Sequence, residues 1–153
     1  MGAAGNIAKE SLPRELTITR LFDAPRSLVF KAWTTPEHMM RWWGPRSYTT
    51  PSCEMEVRPG GALRLCMRSS DGVDLWVHGV FREVVEPERL VFTAVNDADL
   101  EAETVITVTF EDRSGKTFLT MRQTFAKPEV SRGAREGWTS SFERLAEYLP
   151  AVR

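Results

Sequence analysis

Residues 39–45 read Met-Met-Arg-Trp-Trp-Gly-Pro, and this stretch places two adjacent indole rings at the end of a helical segment. Gly44-Pro45 ends the helical pattern, because proline lacks the backbone N–H that a continuing helix needs. Two large aromatic side chains at a helix end need a broad surface to pack against. Two interpretations follow: Trp42 and Trp43 wall an internal apolar cavity, or they fill the core.

The chain after this stretch alternates apolar and polar residues in six successive segments, which is typical of half-buried strands. Turn residues such as Pro59-Gly60-Gly61 separate the segments. Another strand is predicted over Glu15–Phe22, although its alternation is imperfect. The six later strands are predicted at residues 53–57, 63–68, 75–85, 90–95, 104–110 and 117–123. Within the third of these, Gly79 predicts a bend or bulge.

Three helices are predicted, two short ones before the strands and one long one after them. Asp23 is the expected N-cap of the first, and Thr35-Pro36 starts the second. Ser131 is the expected N-cap of the last helix, whose apolar residues recur at helical spacing. Gly133 and Gly137 interrupt its first half, which indicates either a poorly optimised first turn or a mobile end that admits a ligand beside Trp138.

The resulting order, β-α-α-β6-α, predicts an α+β fold in which a curved antiparallel sheet wraps around a long C-terminal helix. We expect one domain over residues 15–150, preceded by a flexible N-terminal segment at residues 1–14. A single helix cannot fill a strongly curved sheet. The remaining space is either packed by side chains or left as a ligand cavity.

Composition excludes several classes of protein. The net charge of -1 and the pI near 6.2 give no electrostatic signature of a nucleic-acid-binding surface. The sequence contains neither an apolar run long enough to span a membrane nor a signal peptide, so a cytoplasmic location is expected.

Cys53 and Cys66 fall on opposite strand faces, inward and outward, and are expected to be reduced thiols. No Cys/His spacing suits zinc, so neither a metal nor a cofactor is predicted.

Catalytic candidates are few. His38 is expected at an exposed helix turn. His78 lies in mid-strand, and is either a structural histidine or a polar contact or general base for a ligand. Gln123 shares a predicted face with Met121 and is a second candidate for a polar contact. Glu101 and Glu103 are interpreted as a solvated edge.

Five motifs resemble those of a known family. Residues 22–33, Phe-Asp-Ala-Pro-Arg-Ser-Leu-Val-Phe-Lys-Ala-Trp, resemble the opening of the START-like (Bet v 1-like, SRPBCC) domains. Residues 41–45, 58–68, 86–93 and 136–138 read RWWGP, RPGGALRLCMR, EPERLVFT and EGW, and resemble the branch named for the activator of the Hsp90 ATPase. The resemblance runs from about Glu15 to Leu149, in the same order.

The resemblance implies a helix-grip fold with a cavity between the sheet and the C-terminal helix. It also implies binding of a small hydrophobic or aromatic molecule. One alternative is a stress-related, co-chaperone-like regulator of a chaperone ATPase. The eukaryotic co-chaperone has a further N-terminal domain, which we do not expect here because only about fourteen residues precede the first strand. The other alternative is a cyclase- or hydrolase-like enzyme, which would need a titratable group such as His78 inside the cavity.

The leading hypothesis is a non-catalytic binding protein for a small apolar or aromatic molecule, with no nucleic-acid partner and as a monomer or homodimer. The residues predicted to line its cavity are mainly aromatic, aliphatic and methionine side chains. With the two polar candidates, they are Trp42, Trp43, Met55, Leu65, Met67, His78, Phe92, Ile106, Val108, Met121, Gln123, Trp138 and Phe142.

Overall fold

The structure is a computed structural model that describes residues 14–152, apart from the side chain of Val130. The N-terminal segment predicted to be flexible lies outside the described residues, except for Arg14. Within residues 14–152, no helix is both long enough and apolar enough to cross a membrane.

Seven strands form one antiparallel sheet within the described residues. They are β1 (Glu15–Phe22), β2 (Tyr48–Met55), β3 (Ala62–Ser69), β4 (Asp74–Val85), β5 (Arg89–Asn96), β6 (Thr104–Arg113) and β7 (Lys116–Phe125). Their spatial order is β1-β7-β6-β5-β4-β3-β2. The first strand therefore pairs with the last, and the two short helices carry the chain from one edge of the sheet to the other. The predicted meander and the α+β helix-grip fold are confirmed.

Three α-helices cover the inner face of this curled sheet: α1 (Arg26–Thr34), α2 (Pro36–Trp42) and α3 (Ala134–Tyr148). Short 3-10 turns, Pro128–Ser131 and Leu149–Ala151, flank α3. Helix α3 packs against β1 and α2, while α1 packs against β6. The helical elements at both ends of the chain therefore meet on the same side of the sheet.

Two predicted helix starts are wrong. Pro25, not Asp23, occupies the N-cap of α1, where its carbonyl accepts N–H bonds from the first turn. Ser131 ends a 3-10 turn, and its hydroxyl donates back to the carbonyl of Pro128 over 2.7 Å. Gly133, with φ of 74°, is the actual cap before α3, because glycine adopts left-handed geometry without a steric penalty. Gly133 therefore precedes the helix, and only Gly137 lies within it.

The core is an aromatic cluster centred on Trp33, which is fully buried. Its ring lies 4.8 Å from that of Trp42 and 6.1 Å from that of Phe142, both edge to face, and it stacks on Trp138 at 6.0 Å. Each such pair contributes about 0.5–1.5 kcal/mol beyond the burial of its area. The cluster therefore joins α1, α2 and α3 into one packed unit.

The cysteines and Gly79 refine the predicted sheet. Cys53 and Cys66 are both free thiols, as expected. Cys66 faces outward but is nevertheless buried, because Trp76 stands opposite it on β4. Gly79 does not form a bulge: the β4–β5 register shifts later, between residues 81 and 83. A Cβ at Gly79 would lie 1.7 Å from the carbonyl oxygen of Thr93, so glycine permits close approach of two strands there.

Candidate ligand pocket

Helix α2 ends where the sequence predicts, and its end directs the next residues toward the sheet. The Trp43 N–H makes the last helical bond, 3.0 Å to the carbonyl of Met39. Gly44 then adopts φ of 90°, a left-handed conformation that favours glycine. Trp42 is the last helical residue, whereas Trp43 already has extended backbone with ψ of 135°, so the two adjacent side chains leave the helix end in different directions.

The two adjacent tryptophans have different surroundings. Trp42 is completely buried, and its Nε1–H donates to the carbonyl of Ala32 over 3.0 Å. Trp43 is 7% exposed and meets the ring of Trp138 edge to face, with centroids 5.2 Å apart. Trp42 thus belongs to the core, whereas Trp43 faces a space beside α3.

That space is a pocket of about 310 Å³ between the inner face of the sheet, the segment after α2 and the first half of α3. Most of its lining is apolar. The lining residues are Trp43, Gly44, Pro45, Met67, Val77, Ala94, Val95, Asn96, Asp99, Ala102, Thr104, Ile106, Gln123, Phe125, Ala134, Gly137, Trp138 and Ser141.

A chain of three hydrogen bonds crosses the pocket wall. Trp138 Nε1 donates to Gln123 Oε1 over 2.8 Å, and Gln123 Nε2 lies 3.2 Å from Thr104 Oγ1. The Thr104 hydroxyl in turn donates to the carbonyl of Ala94 over 3.1 Å. All three side chains are at most 9% exposed, so these bonds satisfy polar groups that would otherwise be buried without partners.

The charged part of the lining lies at the solvent-exposed edge of the pocket. Asp99 is exposed and pairs with Lys127, whose Nζ lies 3.0 Å from its Oδ2. The hydrogen bond from Lys127 lowers the pKa of the Asp99 carboxyl. Asp99 is the only ionisable side chain among the described lining residues. The interior of the pocket therefore presents neutral groups.

Arg144 holds the segment that carries Trp43 against α3. Its Nη1 lies 2.8 Å from the carbonyl oxygen of Gly44 and 3.1 Å from that of Trp43, while Nη2 lies 3.3 Å from that of Arg41. Burial lowers the pKa of this guanidinium, and the positive charge of Arg46 lowers it further. An arginine is still protonated at neutral pH. Arg144 thus donates hydrogen bonds to carbonyl groups that the end of α2 leaves without helical partners.

Comparison with known proteins places the chain in a family. The family model described as "Activator of Hsp90 ATPase homolog 1-like protein" matches residues 23–150. The chain belongs to this family. No protein in the curated set matches it.

Solved structures share the fold of this family member. A protein from Arthrobacter aurescens is 26% identical, with a TM-score of 0.82 over 93% of this chain and 88% of that one. A protein from Mycobacterium smegmatis is 26% identical, with a TM-score of 0.78 over 95% and 94%. An AHSA1-like protein from Aeromonas hydrophila, 22% identical, has a TM-score of 0.76 over 90% and 92%, which shows likeness of fold alone.

Twelve of the thirteen predicted site residues of this family member separate into three groups. Five line the pocket together: Trp43, Met67, Ile106, Gln123 and Trp138. Six are fully packed in the core instead: Trp42, Leu65, Phe92, Val108, Met121 and Phe142. Met55 is half-buried against that core and does not line the pocket. Trp33 explains why these seven residues do not line the pocket. Its indole fills the space between α1 and the sheet, so the pocket occupies only one end of the inner face.

His78 does not line the pocket either. It lies on the outer face of β4, where its side chain is 47% exposed and its Nδ1 bonds to the carboxylate of Asp97. The alternation of the strand explains this placement, since the preceding residue, Val77, faces the pocket. His78 therefore lies outside the pocket in which its role as a general base or ligand contact was predicted.

Several lining residues went unpredicted. Ala102 and Thr104 lie on the same side as Ile106 and extend its period-two pattern, a signal that the sequence does contain. Ala134 and Ser141 lie four residues before and three residues after Trp138, a spacing that places all three on one face of the predicted helix. The five contacts of Arg144 with backbone carbonyls had no sequence signal, because they join residues about a hundred positions apart.

Proposed function

We propose that this protein binds a small, largely apolar molecule with an aromatic ring in the pocket between Trp43 and Trp138. The observation that carries the proposal is the apolar pocket beside two indole rings set edge to face. Ligand sites of this kind combine an apolar lining with a few fixed polar groups. Membership of a START-like family supports the same function.

The dimensions of the pocket restrict the ligand. A volume of about 310 Å³ is at the low end for small-molecule sites, which favours a molecule of at most about three rings. The proposed function is binding rather than turnover, because Asp99 is the only ionisable group among the described lining residues and Lys127 pairs with it. The free thiols of Cys53 and Cys66 support a reducing, cytoplasmic location.

The direct test is a titration with N-phenyl-1-naphthylamine, an uncharged probe with three aromatic rings whose fluorescence rises in apolar surroundings. We expect saturable binding with one site per chain. Replacing Gly137 with leucine should weaken it by at least about tenfold, which corresponds to about 1.4 kcal/mol. Gly137 lines the pocket, and an added Cβ meets no atom within 4 Å, so the larger side chain enters the open space.

The matched control is Thr139→Leu, which adds a leucine to an exposed position of the same helix. It should leave the affinity unchanged. Circular dichroism of both variants would show whether the fold is intact. Equal affinities for wild type, Gly137→Leu and Thr139→Leu would show that the probe binds elsewhere, and failure of the probe and of other neutral aromatic compounds to bind would refute the proposed function.

A further inference from the structure

The orientation of the Gln123 amide is fixed by its neighbour. The indole N–H of Trp138 can only donate a hydrogen bond, so the atom 2.8 Å away must be the amide oxygen of Gln123. The amide nitrogen therefore faces Thr104. An inverted amide would place two donors against each other, with the loss of a buried hydrogen bond.

The next bond in the chain is fixed in the same way. The Thr104 hydroxyl donates its single hydrogen to the carbonyl of Ala94, so toward Gln123 it can only accept. One hydrogen of Gln123 Nε2 is used in that bond. The amide group carries a second hydrogen, for which no protein acceptor occurs among the hydrogen bonds of the described residues. Gln123 lines the pocket, so this second N–H is available to a ligand.

We propose that the pocket selects uncharged aromatic carbonyl compounds, such as aryl ketones or quinones, through a hydrogen bond from the second Nε2–H of Gln123 to the carbonyl oxygen. This inference rests on the proposed function and specifies its ligand class. Trp43 and Trp138 contact the ring, while Gln123 recognises the oxygen. Because Trp138 fixes the amide, the donor is held in place before the ligand arrives, which reduces the entropic cost of binding.

Charge on the ligand is disfavoured by the lining. The ionisable lining residue, Asp99, is negative and would repel an anion. Lys127 is not a free counter-ion, because its ammonium contacts both Asp99 and Glu101. A cation entering the neutral interior would lose its hydration without a charged partner. A neutral acceptor matches both the free donor and the apolar walls.

The test compares two ligands of nearly the same shape, 2-acetylnaphthalene and 2-isopropenylnaphthalene, of which only the ketone can accept a hydrogen bond. Affinities are measured by displacement of N-phenyl-1-naphthylamine from wild type and from Gln123→Met. We expect the ratio of ketone to alkene affinity to fall about tenfold in Gln123→Met, equivalent to about 1.4 kcal/mol. The apolar variant keeps the volume of the side chain but removes the donor.

Met67→Leu is the matched control, because Met67 also lines the pocket and the substitution exchanges one apolar side chain for another. It should alter both affinities together and leave their ratio unchanged. A ratio that is the same in wild type and Gln123→Met would overturn the inference while leaving the binding function in place. If neither ligand binds wild type, the proposed function itself fails.

A second measurement requires only wild type, and so does not depend on the folding of Gln123→Met. Infrared difference spectroscopy with an isotope-labelled ketone carbonyl reports directly on hydrogen bonding to the oxygen. The carbonyl stretching band of the bound ketone should lie below its position in an alkane solvent. A band at the alkane position would contradict the proposed contact with Gln123.

Discussion

Replacing Arg144 with methionine tests whether the guanidinium holds the Trp43 segment against α3. The Nη1 atom carries two hydrogens, so of the four carbonyl oxygens within 3.4 Å it can bond well to two, those of Gly44 and Trp43. A hydrogen bond that involves a charged group contributes about 1.5–3 kcal/mol. The gross loss is therefore about 3–6 kcal/mol.

Two effects reduce this loss. The Trp43 carbonyl keeps a second donor, the hydroxyl of Thr50 at 3.0 Å. Methionine makes no such hydrogen bonds and stays more mobile in the folded protein, which recovers part of the side-chain entropy, about 2 kcal/mol, that is lost when arginine is held in place. We therefore expect Arg144→Met to lower the free energy of unfolding by about 2–3 kcal/mol. For a chain of this length, this corresponds to a fall in Tm of about 4–12 °C.

The measurement is urea unfolding followed by far-ultraviolet circular dichroism, with Arg135→Met as the control. Arg135 lies on the same helix but is exposed, and its Nη2 makes one long contact, 3.4 Å, with the Thr17 carbonyl. Both substitutions remove one positive charge. Arg135→Met should change stability by no more than about 0.5 kcal/mol. Equal stabilities of the two variants would refute the reasoning.

Three further outcomes are expected. Gly79→Ala should lower the free energy of unfolding, measured in urea, by about 3 kcal/mol, because the new Cβ would lie 1.7 Å from the carbonyl oxygen of Thr93. A decrease of less than about 1 kcal/mol would contradict that close approach. Burial, and to a lesser extent nearby carboxylates, raise the pKa of Cys53 to about 12. Ellman's reagent at neutral pH should therefore label Cys53 only after unfolding. Rapid labelling of Cys53 in the native protein would argue against this burial. The hydrogen bond from Lys127 lowers the pKa of Asp99 in the folded protein. The pair therefore stabilises the folded state above the pKa that Asp99 has in the unfolded chain, and this contribution is lost as the pH falls through the pKa in the folded protein. The stability difference between wild type and Lys127→Met should accordingly shrink as pH falls below about 4, and a pH-independent difference would rule out the ion pair as its source.

The strands and their order were predictable because the period-two pattern is local. Ile106 and Val108 face inward as their spacing predicts, and the turn at Pro59-Gly60-Gly61 falls between β2 and β3. Helix starts were harder to predict. Ser131 has a favourable capping residue type, but Gly133 can adopt the left-handed backbone that the chain requires before α3.

The position of the pocket could not be predicted from the same pattern. A side chain that packs in the core and one that faces an open space are equally apolar, so Met121 and Met67 look alike in sequence. What distinguishes them is the location of the Trp33 ring, which depends on how α1 lies across β6. Likewise, His78 is placed by strand alternation, but which of the two faces is inward depends on pairing with distant residues.

The packing of Trp33, Trp42, Trp43 and Trp138 also has an optical consequence. Their ring centroids form a connected series with separations of 4.8–6.5 Å, close enough for excitation energy to pass readily from one indole to another. Light absorbed by the buried Trp42 can therefore be emitted, or lost, at Trp138. A molecule that enters beside Trp138 perturbs the emission of the whole group, which makes the unlabelled protein its own sensor of occupancy.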